Sequence, residues 1–206
     1  CSDKECQTTW EYTSARIITS SNKTVNPGNE ITVCFKVPDG TGHWPAIWML
    51  PQGFIEGNKT WPQDGEIDLM EARGRVPQAI GAAIHFANSN NSNQYISHEV
   101  TVPMNVNFQD KFHSITFKWI EDVIEMYLDT NSEPFYSEGK NSTPFNNANY
   151  PFNEEFYLLF NVASGGNFDS NQIDQSKYCN DEQCSNLSNP DKGRFIIDYI
   201  EIKSID

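Results

Sequence analysis

Hydrophobic residues recur along this chain at every second position far more often than at helical spacing. From Glu30 to Val37, the residues Ile31, Val33, Phe35 and Val37 fall on one face, the two-residue period of a half-buried strand. Ser114 to Trp119 repeats the pattern with Ile115, Phe117 and Trp119, and Val123 to Leu128 with Ile124, Met126 and Leu128. Arg194 to Ile202 alternates as well. Phe156 to Ala163 is almost continuously apolar, which predicts a central strand buried on both faces. Turn signals separate these runs at Pro27-Gly28, Asp39-Gly40, Asn88 to Asn93, Pro144 to Asn149 and Gly165-Gly166. Amphipathic helix never extends beyond a turn or two. Many short strands joined by Gly, Pro and Asn turns predict an all-β sandwich or barrel. The chain shows no internal repeat and no linker, so residues 1–206 read as one domain. Asn171 to Asp191 is the best candidate for a long surface loop.

One segment does not fit simple alternation. Gly65-Glu66-Ile67-Asp68-Leu69-Met70-Glu71 places three carboxylates within six residues. In a strand, Ile67 and Leu69 point into the core while Glu66 and Asp68 point away from it. Strict parity then sends Glu71 inward, where an unpaired carboxylate is costly. A β-bulge near Met70 repairs the parity and returns Glu71 to the side of Glu66 and Asp68. A row of three carboxylates on an open face suits glycoside hydrolysis with retention, which needs an ionised nucleophile and a protonated acid close together. Neighbouring carboxylates push one another's pKa values apart and so supply both roles. A solvated acidic strand face is the plain alternative. The third carboxylate, the parity conflict and the flanking tryptophans favour the catalytic reading.

Composition narrows the partners. With 14 basic and 28 acidic residues the formal net charge is -14, which disfavours nucleic acid and anionic membranes. No stretch approaches the roughly 18 apolar residues of a membrane span. The 13 Phe, 8 Tyr and 5 Trp in a polar sequence are divided between core packing and ligand stacking. Cys1 and Cys6 flank one short loop and Cys179 and Cys184 another, with Cys34 left over; such pairs fit an oxidising compartment better than a zinc site. Sequons occur at Asn22, Asn58, Asn90, Asn141 and Asn186. The chain does not begin with Met and reads as a mature or trimmed secreted product.

The motifs resemble glycoside hydrolase family 16. Glu66-Ile67-Asp68-Leu69-Met70-Glu71 is similar to that family's signature in its bulged, laminarinase-like form. Tyr12 to Ile17 resembles a family strand, and Trp44-Pro45-Ala46-Ile47-Trp48-Met49-Leu50 the tryptophan-rich strand before the catalytic one. Trp61-Pro62, Phe112 to Asp129, Phe156 to Asn167 and Phe195 to Ile202 match later landmarks. The resemblance implies a two-sheet, concanavalin-like β-jelly roll with a concave substrate cleft. It implies Glu66 as nucleophile, Asp68 as assisting carboxylate and Glu71 as acid/base. Trp44 and Trp48 match cleft-lining tryptophans, with Trp61 beside them; His85 matches a histidine near the acid/base, and Arg16 a position that can contact a minus-subsite sugar. Asn161, an amide in an apolar strand, is expected to face the cleft. The family commonly binds a structural calcium on the convex side, and Asp198 is the position nominated here; no cofactor is expected for catalysis.

Three departures accompany the resemblance. Several dozen residues that usually precede the Tyr12 to Ile17 strand, and supply a partner for the closing strand, are expected to be missing. Phe168 stands where laminarinases often have Trp after Gly-Gly-Asn. His85-Phe86-Ala87-Asn88 lacks the glycines common there. The expected activity is a retaining endo-β-glucanase on β-1,3-glucan or mixed β-1,3/1,4-glucan, acting as a monomer. The alternatives are a glucan transglycosylase and a non-catalytic β-glucan-binding module.

Overall fold

The computed structural model describes residues 12–19, 23–179, 183 and 193–205. Its strands in chain order are β1 (Arg16–Ile18), β2 (Thr24–Val25), β3 (Asn29–Lys36), β4 (His43–Pro51), β5 (Glu66–Ala72), β6 (Ala79–Ala87), β7 (Asn93–Thr101), β8 (His113–Ile120), β9 (Val123–Leu128), β10 (Tyr136–Gly139), β11 (Phe156–Ser164) and β12 (Ile196–Ser204). A 7-stranded sheet runs β1-β11-β4-β5-β6-β7, with β2 also on β11; a 5-stranded sheet runs β10-β9-β8-β3-β12. The two antiparallel sheets pack as the expected jelly-roll sandwich.

The alternating runs bury the faces their spacing predicts. Ile31, Val33, Phe35, Ile115, Phe117, Trp119, Ile124 and Met126 are all fully buried. Opposite them the larger sheet contributes Ile47, Met49, Ile67, Ile84, Phe156 and Leu158 to the same core. Trp119 bridges the sheets, meeting Phe117 edge-on in its own layer and Phe156 edge-on in the other, with ring centroids 5.9 and 5.4 Å apart. Close packing of this kind makes core volume changes costly. Strand β11 is covered on both faces over its first half. Leu159 and Tyr157 turn to the opposite side and join Leu50, with Trp48 and Phe54 packed against them.

The last strand departs from expectation. β12 alternates in sequence, but Tyr199, Ile200 and Ile202 stay 38–47% exposed. Ile200 and Ile202 pair with Val33 and Ile31 and lie on the core-facing side. However, β12 is the rim of its sheet and the strand facing it, β1, has only 3 residues. Among the described residues, too little of the other layer reaches across to cover them. A cavity of about 1150 Å³ opens between these rims, lined by Ile17, Phe160, Val162, Phe195 and Ile197 among others. Cys34 is a free thiol. The proposed pairings of Cys1 with Cys6 and Cys179 with Cys184 depend on positions outside the described residues.

The bulge falls where parity requires it. Along β6, Asp68 pairs with Ala83 and Glu71 with Gly81, so Leu69 and Met70 together face the single Ala82. Along β4, Trp48 pairs with Asp68 and Ile47 with Met70, which leaves Leu69 as the extra residue. Leu69 and Met70 are both fully buried. Deleting Met70 leaves Leu69 alone opposite Ala82 and keeps Glu71 opposite Gly81. The loss is therefore one core side chain, about 2–5 kcal/mol on the scale of large-to-small core substitutions. Chemical denaturation should show that drop, with some catalytic activity retained; unchanged stability would exclude Met70 as a core residue.

Candidate active site

Three rows of side chains cross the larger sheet on the face away from the core. Strand register sets Glu66 beside His85 and His85 beside Tyr95. Asp68 sits between Trp48 and Ala83, and Glu71 between Ala46 and Gly81. Ala46 in turn pairs with Asn161, and Asn161 with Arg16. Ala46, Gly81 and Ala83 keep the floor between the carboxylates low. A Cβ built on Gly81 would meet only the His98 carbonyl oxygen, at 3.7 Å. Gly65 turns the chain into β5 at φ +85°, where a Cβ would strike Phe152 and Pro151 at 2.9 Å. A glycine is needed there on both counts.

Each outer carboxylate receives an indole N–H. Trp61 Nε1 donates to Glu66 Oε2 at 2.6 Å, and Trp44 Nε1 to Glu71 Oε1 at 2.8 Å. Trp48 Nε1 donates to Asn161 Oδ1 at 2.7 Å. The loop carrying Trp61 is itself tied down: Lys59 bridges Glu154 at 2.6 Å and Asp64 at 3.4 Å, and Asp64 accepts from the Thr60 amide at 2.8 Å. His85 places Nε2 3.3 Å from Asp68 Oδ2 and Nδ1 3.3 Å from Asn93 Oδ1. The Glu66 and Asp68 carboxyls are near enough for one to hydrogen-bond the other once either is protonated.

Burial dominates the electrostatics. It raises Glu66, the Asp68 charge adds to this, and His85 and the Trp61 N–H oppose it, leaving Glu66 pushed up to about 8. Asp68, only 3% exposed, is held well above the carboxylate range by burial and then by the Glu71 charge. Glu71 is raised by burial and by Glu66, against the Trp44 hydrogen bond and His85. The three titrate as one set, each raised by burial. Asp68, the most buried and without an indole donor, is where a proton is best held, whereas the indole N–H groups favour the anion at Glu66 and at Glu71.

This geometry coincides with a specific family. The sequence pattern of glycosyl hydrolases family 16 matches residues 2–180. The chain belongs to that family. It is 38% identical over 165 residues to glucan endo-1,3-beta-glucosidase A1 of Niallia circulans, covering 77% of this chain and 23% of that protein. It is 32% identical over 174 residues to a beta-1,3-glucan-binding protein of Penaeus monodon, covering 75% and 47%. The endo-beta-1,3-glucanase structure from Pyrococcus furiosus superposes with a TM-score of 0.74 at 27% identity, covering 92% of this chain and 65% of that one. The chain thus spans less than half the length of these two curated relatives.

Within this family 16 chain, the structure brings Glu66, Asp68, Glu71, Trp44, Trp48, Trp61, His85 and Asn161 to one face. His85 sits against Asp68 and opposite Glu66, and its charge also reaches Glu71; register, not sequence distance, fixes its neighbours. Trp48 stands outside the main core, partly buried on the cleft side. Arg16 is exposed on rim strand β1, near enough to Tyr157 for its charge to act on that hydroxyl. Asp198 lies exposed at the bulge of β12. Among the described residues no group of three acidic or histidine side chains forms around it, so no calcium site is derived from it.

Sequence reasoning missed Tyr95. It is 65% exposed on β7, its ring 5.6 Å from that of His85, which lies 6.1 Å from Trp61. These rings form an aromatic edge beside Glu66. At the Glu71 end, Phe168 stacks on Trp44 at 4.9 Å, and the Arg73 guanidinium lies 5.3 Å from the Phe168 ring while pairing with Glu99. A lone aromatic in a polar run was the available signal for Tyr95, but the run was not read as a strand.

The raised carboxyls link stability to pH. The ordinary value for Glu66 is 4.5 and its folded value about 8, so between these the folded chain holds more protons than the unfolded chain. The contribution is fully present below about 4.5 and is lost as pH rises through about 8. Scanning calorimetry should show Tm falling from pH 5 to pH 8, with a smaller fall in Asp68→Asn. A Tm that rises over this range would contradict the buried, proton-retaining cluster.

Proposed function

We propose that this chain is a retaining endo-β-glucanase that cleaves β-1,3-glucan of the laminarin type, or mixed β-1,3/1,4-glucan. One observation carries the reading: Glu66, Asp68 and Glu71 share an open sheet face, with an indole N–H on each outer carboxylate. The similarity to an endo-1,3-beta-glucosidase and to a glucan-binding protein supports a glucan in either case. An intact and hydrogen-bonded carboxylate row favours catalysis over recognition alone.

Glu66 attacks the anomeric carbon while Glu71 protonates the departing glycosidic oxygen, giving a covalent glycosyl-enzyme. Asp68 keeps its shared proton close to Glu66, steadying the carboxylate before attack. Water, deprotonated by Glu71, then attacks the same carbon and releases a product of retained configuration. Trp61, Tyr95 and the Trp44–Phe168 stack offer apolar surface to sugar faces. We further propose a single secreted domain over residues 1–206 that acts as a monomer. The short cysteine loops and the exposed sequons at Asn58, Asn90 and Asn141 support secretion.

Glu66→Gln should cut laminarin hydrolysis by on the order of 10³-fold or more while leaving circular dichroism unchanged, since an amide cannot form the glycosyl-enzyme. Near-normal release of reducing ends by the purified variant would remove Glu66 from its role.

Glu71→Ala should lose roughly 10²–10⁴-fold on laminarin but far less on an activated aryl glucoside, whose leaving group departs without a proton. Added azide should restore turnover and give a β-configured glycosyl azide. Equal losses on both substrates with no azide effect would assign the acid/base elsewhere.

A further inference from the structure

We propose that Glu66, Asp68 and His85 form a binding site for a divalent transition-metal ion, one that reversibly shuts off the carboxylate row. Ligand atoms of all three side chains lie within 4.8 Å of one another. Asp68 is 3% exposed, and its Oδ2 has no hydrogen-bond partner among the described residues. That buried oxygen faces His85 Nε2 at 3.3 Å. With the imidazole protonated this contact is an ion pair; with it neutral and Nε2 bare, two acceptors face each other with no hydrogen bond between them, and a cation can take the place of the proton.

The spacing fits a small tetrahedral ion. Ligands at about 2.0–2.2 Å from zinc stand about 3.3–3.6 Å apart in a tetrahedron, and the His85–Asp68 separation already matches. The Asn93 side-chain Oδ1, 3.3 Å from Nδ1, is placed to accept a hydrogen bond from Nδ1–H, which leaves the Nε2 lone pair toward Asp68. This is the usual outer support of a metal-binding imidazole. Trp61 fixes the third ligand by its hydrogen bond to Glu66 Oε2. One imidazole with two carboxylates suits Zn²⁺ or Cu²⁺. Mg²⁺ and Ca²⁺ demand six or more oxygens and are disfavoured. An ion held here occupies Glu66 and blocks attack. That consequence rests on the nucleophile assignment above, whereas binding itself does not.

Isothermal titration of the full chain with ZnCl₂ should give one saturable site, with no matching signal for MgCl₂. His85→Gln should weaken binding at least about tenfold, and Asn93→Ala by a smaller factor, while His98→Gln leaves it unchanged. Laminarin hydrolysis by the wild type should fall over the same zinc range and recover with EDTA. Absence of saturable binding, or binding that survives both His85→Gln and Asn93→Ala in folded protein, overturns the site. Zinc binding without inhibition overturns the shut-off. Failure of the metal-free wild type to cleave laminarin would instead count against the glucanase reading and leave the titration result standing.

Discussion

Leu69 and Met70 are neighbours in sequence, yet both are buried on the same side of β5. A regular strand cannot do this, because successive side chains alternate. The bulge that permits it shifts every following residue by one position. Glu71 thereby leaves the core and joins Glu66 and Asp68 across the floor made by Ala46, Gly81 and Ala83. Without that shift one of the three carboxylates would be buried among Ile47, Ile67 and Leu158, where an unpaired charge is not tolerated. The hydrophobic demand of two core residues and the chemical demand for three aligned carboxylates have a single backbone solution.

Alignment alone does not make the row reactive. Burial lifts all three carboxyls and would protonate them indiscriminately; the donors around them separate their roles. Indole N–H groups reach Glu66 and Glu71, whereas the buried Oδ2 of Asp68 receives none. Charge is therefore better accommodated at the ends of the row than in its middle. The tryptophans proposed above to present apolar faces to a sugar also tune the acids beside them, so on that reading replacing either ring would disturb binding and protonation together. Retained protons come at a cost in stability at higher pH, a common tension at reactive sites.

Much of this was legible in the sequence because it follows from period and parity. Ile31, Val33, Phe35, Ile115, Phe117 and Trp119 announce their buried faces by alternation, and the bulge follows from the misfit of Glu71 to the pattern. What sequence could not supply is register. His85 is 17 residues from Asp68 in sequence, and only the pairing of β5 with β6 brings them together. Tyr95 lies in β7, whose core-facing positions Ile96 and Val100 are interrupted by His98 and were too sparse to be read as a strand, so its place beside His85 was missed. The alternation of β12 was read correctly as a strand but not its exposure, which depends on how far the opposite sheet extends.

That exposure leaves the site itself untouched, for a topological reason. The carboxylates stand on β5, which is hydrogen-bonded to β4 on one side and β6 on the other, and β4 is paired in turn along its full length with β11. The uncovered isoleucines and the inter-sheet cavity belong to the rim formed by β1 and β12, separated from β5 in the larger sheet by β11 and β4. Local opening draws on rim strands before central ones. Loosening at that rim reaches Arg16 first, then Asn161 and the Trp48 ring bonded to it, and only afterwards the carboxylates. On the glucanase reading proposed above, such loosening should weaken the hold on glucan at that end of the cleft before it alters the chemistry.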